Sequence, residues 1–152
     1  MTYTRKNAMR KTPKMECEEL MEGVLPVAEK TLADQGGFFP YGGAMLADGR
    51  IEMVAASDGD EHPPSERLID MLVDAFRAAA EQSKYRATAI VYDVKVIPPG
   101  ATEKTDAILV RLDHVSGYSV QILFPYRLGT GREILFGRTF ATAGLASIFP
   151  RQ

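Results

Sequence analysis

The sequence predicts an α+β domain: a two-layer sandwich whose antiparallel sheet of five or more strands carries helices packed on one face. Three observations lead there. Residues 88–126 alternate apolar and polar side chains with period two, broken only by short turns, which is the pattern of antiparallel strands. Two other stretches repeat apolar residues at spacings of three and four, placing them on one face of a helix. Finally, 152 residues that are 45% hydrophobic and 25% charged suffice for one core without a disulfide or metal.

The elements follow in order. Cys17, Leu20, Met21, Val24, Leu25, Ala28 and Leu32 form the apolar stripe of a helix over about residues 15–34. Glu16, Glu18, Glu19 and Glu22 crowd its start, where the helix dipole favours negative charge. Pro26 predicts a kink there, or a break into two short helices, and Gly36-Gly37 predicts the end. Phe38 to Leu46 and Ile51 to Ala56 flank Asp48-Gly49, the composition of a type I′ hairpin turn. Gly42-Gly43 marks a close backbone approach. After the acidic loop 57–65, Leu68, Ile69, Leu72, Val73, Phe76, Ala79 and Ala80 define a second helix over about residues 65–83, capped by Ser65 or a residue just before it.

Three strands follow, over residues 88–97, 106–115 and 118–126. A shorter one spans 133–136, and the tail 139–152 reads as a poor helix or an edge segment. The order α-β-β-α-β-β-β resembles the profilin-like layout of roadblock-type domains. That likeness lies in element order, spans most of the chain and implies a sheet flanked by helices, with no activity attached.

Residues 1–14 carry five cations and no acid, leaving −7 on the remainder of a chain whose formal charge is −2. They read as a basic flexible tail ahead of a single domain over 15–152. The acidic body makes nucleic acid an unlikely partner, and deletion of the tail tests that option. One cysteine, no apolar stretch of membrane-spanning length and no signal-like N-terminal core predict a cytoplasmic protein without membrane association.

No catalytic signature stands out. Asp58, Asp60, Glu61 and His62 stop short of a calcium loop, and the chain lacks paired His or Cys spacing for zinc. No metal and no cofactor are expected, and Cys17 reads as an inert buried thiol. Phe39-Pro40-Tyr41 and Phe124-Pro125-Tyr126 repeat one tripeptide at two strand ends. Such bends can set Tyr41, Tyr126 and Arg127 along one cleft, with His114 as a further candidate, and that composition suits a peptide or a small anion.

The reading favoured is therefore a non-enzymatic binding or protein-interaction module. It is expected to be a homodimer through a second sheet face that Ala89, Val91, Ala107, Leu109, Leu123 and Leu135 make semi-apolar. The alternative is a small enzyme with His114 or Asp93 as acid or base near Tyr41, Tyr126 and Arg127. That alternative requires the residues to converge within about 10 Å.

Overall fold

Thr12 opens the first helix: its hydroxyl accepts from the Met15 N–H at 3.1 Å, and Pro13 takes the first turn, where it forfeits no bond. The computed structural model describes residues 10–150. Helix α1 (Pro13–Gln35) ends at Gly36, whose φ of 81° lets its N–H reach the Leu32 carbonyl. The tail expected over residues 1–14 lies outside the described residues as far as position 9. Beyond it, Lys11 pairs with Glu19 and Lys14 sits within α1.

Pro26 does not divide α1. The Tyr41 hydroxyl donates to the Val24 carbonyl at 2.5 Å and accepts from the Ala28 N–H at 3.0 Å. Those groups are i, i+4 partners straddling the proline. A phenol inserted into the ladder lets the helix absorb it without breaking.

The chain continues through β1 (Tyr41–Leu46), β2 (Ile51–Val54), α2 (Ser65–Glu81), β3 (Tyr85–Val96), β4 (Thr105–His114), β5 (Ser119–Leu128), β6 (Ile134–Phe136) and β7 (Phe140–Ala143). Every pairing is antiparallel, in the order β2-β1-β3-β4-β5-β6, with β7 also on β5. Pro64 precedes α2 without a side-chain cap, so Ser65 is its first residue rather than its cap. The β1–β2 hairpin is present, but only Gly49 has positive φ (94°), and its N–H closes on the Leu46 carbonyl. The loop thus has three residues instead of the two of a type I′ turn.

The α+β class and the antiparallel sheet are as the sequence predicts, whereas the layering differs. A Cβ on Gly43 would meet Val24 of α1, and one on Gly42 would meet Phe76 of α2. Successive strand residues point to opposite faces, so the helices cover the two sides of one sheet and the fold has three layers. Under α1 lie Met45, Ala89, Val91, Val110 and Leu112; under α2 lie Ala44, Tyr85 and Ile90.

Register also corrects the membership of the faces. Ala89 stands opposite Leu112 and Val91 opposite Val110, so both belong to the α1 core. They do not share a face with Ala107, Leu109 and Leu123; a one-residue phase difference between paired strands exchanges faces. Those three are on the α2 side, and the chain itself buries them, Leu109 to 8% exposure and Leu123 to 4%.

Beyond β7 the chain turns back across this side. The Ala146 N–H donates to Ser119 Oγ at 3.0 Å, Arg77 donates to the Ser147 carbonyl at 2.6 Å, and Arg111 donates to Ser147 Oγ at 3.2 Å. Ile148 enters the cluster that contains Phe76. The face expected to pair with a second subunit is therefore largely covered from within.

Pro125 does not end β5, which runs on to Leu128. The Gly137 N–H donates to its carbonyl at 2.8 Å, so the missing N–H of Pro125 also faces the outer edge. There β6 hands over to β7 and no ladder bond is forfeited.

Candidate functional site

At one corner of the sheet Arg127 and its partner Leu135 lie on the α2 side, whereas Tyr126 and its partner Phe136 lie on the α1 side. At the end of the sheet where β4 begins and β5 ends, a cavity of about 750 Å³ forms. Pro98 and Pro99 of the β3–β4 link, Pro125 of β5 and Leu135 and Phe136 of β6 are among the residues that line it. The link is set by Gly100, whose φ of 80° allows the Ala101 N–H to close on the Pro98 carbonyl. Leu135 and Phe136 are 42% and 44% exposed, unusual for large apolar side chains.

Arg127 from β5 and Arg138 from the β6–β7 junction supply the charge. The lining contains no acid, and neither guanidinium makes an ion pair among the described residues. The size and apolar walls are those of a small-molecule site.

Tyr126 borders the same cavity and donates its hydroxyl to Asp93 Oδ1 at 2.9 Å. Burial, then the adjacent Asp93 carboxylate, pushes the phenol above its ordinary range. Burial raises the Asp93 carboxyl as well, against the lowering effect of the phenol's hydrogen bond.

The other expected site residues lie elsewhere. Tyr41 pairs with Val91, in the row of Val110 and Ile122. Tyr126 is three strands across and four residues along from there, on the order of 15–20 Å at ordinary sheet spacings. The Tyr41 phenol, pushed by burial up to about 12, is committed to α1.

His114 is farther still. Tyr126 pairs with Asp106, and His114 stands eight residues along β4, roughly 26 Å at 3.3 Å per residue. His114 Nε2 lies 2.8 Å from Glu16 Oε1, and Nδ1 accepts the Ser116 N–H at 3.0 Å, which assigns the neutral ring's proton to Nε2. Arg86 also donates to Glu16, at 2.7 Å. Burial opposes ionisation of Glu16, but the bonds from His114 and Arg86 outweigh it and hold the carboxyl below its usual range. His114 is thus a hydrogen-bonded anchor between α1 and the sheet. Asp113 points to the opposite face and accepts from Ser119 Oγ.

The structure brings Tyr126, Arg127 and Asp93 to one corner and leaves Tyr41 and His114 out of it. Among the described residues no cluster of three or more His, Cys, Asp or Glu could hold a metal ion. The acidic loop is tied internally, with Asp58 accepting from Arg67 at 3.0 Å and from the Asp60 N–H at 2.9 Å. Also among the described residues, no helix is long and apolar enough to cross a membrane.

Sequence reasoning missed Arg138, Phe136 and the two prolines. The available signal was Leu135-Phe136 beside an arginine, in a strand too short for periodicity to assign a face. In comparisons with family models, curated proteins and solved structures, nothing matches this chain.

Proposed function

We propose that this protein is a non-enzymatic binding module whose site is the corner cavity between the β3–β4 link, β5 and β6. The observation that carries the reading is a cavity at this corner with no acid in its lining, where exposed Leu135 stands beside Arg127 on the α2 side and neither Arg127 nor Arg138 makes an ion pair among the described residues. An acid–base site finds less support. The Tyr126 proton is already held by Asp93, and the Tyr41 and His114 expected to join them are bound into α1 contacts.

A second copy of the chain is the competing occupant, because Ile97, Leu135 and Phe136 are all more than a third exposed around this end of the sheet. Mass by light scattering separates the two. A concentration-independent monomer supports a smaller partner, and a dimer dispersed by Phe136→Glu supports self-association through this corner.

The direct test is amide chemical-shift mapping with the neutral aromatic probe N-phenyl-1-naphthylamine. The expected result is a set of shifts confined to residues 98–99, 125–127 and 135–140. Shifts spread over the molecule, or none at millimolar probe, overturn the assignment of the site.

A further inference from the structure

We infer that the cavity takes an organic anion: a carboxylate- or phosphate-headed molecule with an apolar body of small-molecule size. The inference rests on the binding reading above and adds the chemical class of the ligand. Arg127 and Arg138 reach the same cavity from different segments, one within β5 and the other at the β6–β7 junction. Two guanidinium groups facing one space repel each other. Some cations elsewhere in this chain are paired, Arg86 with Glu16 and Arg67 with Asp58 among them, whereas these two share one space with no acid beside them. The acids that could neutralise this pair are absent from the lining, although the chain has 20 of them against 18 cations.

A bound anion supplies the missing charge, and arginine's planar fork matches the two oxygens of a carboxylate or phosphate. The rest of the lining sets the shape of the body. Pro98, Pro99, Pro125 and Leu135 contribute apolar surface to about 750 Å³, within the roughly 300–1,000 Å³ of small-molecule sites. The lining mixes the apolar Pro98, Pro99 and Leu135 with Thr105, Thr139 and the two arginines, so burial of the body contributes affinity and the polar groups select the charged head.

Two dyes of matched shape test this. Anilinonaphthalene sulfonate carries an anion on the same rings as N-phenyl-1-naphthylamine, and both brighten when bound. The expected result is that the native chain binds the sulfonate at least about tenfold tighter than the neutral dye, with the preference falling as salt rises. In the chain carrying Arg127→Gln and Arg138→Gln, the preference should shrink to within about twofold while the neutral dye keeps its affinity. Both substitutions are at exposed positions, and an unchanged melting temperature shows that the variant is folded. Equal binding of the two dyes by the native chain overturns the anionic class and leaves the binding site standing. Shift mapping that finds neither dye in the cavity overturns both.

Discussion

Glu16 shows how much one side chain can hold. It lies in the first turn of α1, 9% exposed, and receives His114 from the end of β4 and Arg86 from the start of β3. Arg86 also donates to the Ala47 carbonyl of the β1–β2 loop, so one carboxylate joins a helix, two strands and a hairpin. Because its folded-state value lies below the ordinary 4.5, its ionisation contributes stability that is fully present above that value. The contribution is lost as pH falls through the lower folded value. Unfolding in denaturant should therefore show stability declining below about pH 4.5, and Glu16→Gln should flatten that part of the curve. A variant with an undiminished acid slope would show that other carboxylates carry it. Cys17 is simpler. Burial, with Asp113, Glu16 and Glu18 nearby, pushes its thiol up to about 12, so it is a small apolar core residue, as its place on the helix stripe implies.

At the scale of elements, β1 is where both helices press closest to the sheet. A Cβ on Gly43 would stand 2.3 Å from Val24 Cγ1, and one on Gly42 would stand 2.8 Å from Phe76 Cζ. Consecutive glycines thus admit α1 from one side and α2 from the other. Gly43→Ala should cost about 1–3 kcal/mol by overpacking, measured by denaturant unfolding. Combining it with Val24→Ala should recover part of that loss, since the two sites touch. Strict additivity of the two changes would show that the contact with Val24 is not the cause. The same strand carries Tyr41, whose hydroxyl lets α1 pass Pro26. The repeated Phe-Pro-Tyr thus serves two unrelated ends: one tyrosine repairs a helix, and the other meets Asp93 beside the cavity.

Over the whole molecule, the segment after β7 decides what remains available for binding. By crossing the α2-side face it buries Ile148 to 3% exposure and leaves the corner at Pro98, Arg127 and Leu135 open. Ile148→Ala should cost about 2–5 kcal/mol. It should also promote self-association, seen as concentration-dependent mass in light scattering, because the segment's hold on the cluster around Phe76 and Ile90 weakens. A stable, monomeric variant would show that Arg77 and Arg111 suffice to fix the segment. The cavity, lying at the other end of this face, should keep its dye binding in that variant.

Periodicity determined the two helices and strands β3 to β5 with their antiparallel pairing, because spacing along a chain directly reports which side chains share a face. Cys17, Leu68, Phe76 and Val110 were legible as core for the same reason, whereas β7 lies in a tail that reads as a poor helix or an edge segment. Which faces became partners was not legible. The phase of β3 against β4, α1 and α2 lying on opposite sides, and the return of residues 144–149 over the sheet depend on pairing between distant segments. A one-residue shift in register would exchange every contact. The candidate site belongs to this second class. Tyr126 and Arg127 were visible beside a proline, yet Arg138 and Phe136 join them only because β6 and β7 both pair with β5, a long-range pairing that so short a strand does not announce. Tyr41 and His114, equally prominent in the sequence, were drawn into the helix α1 instead.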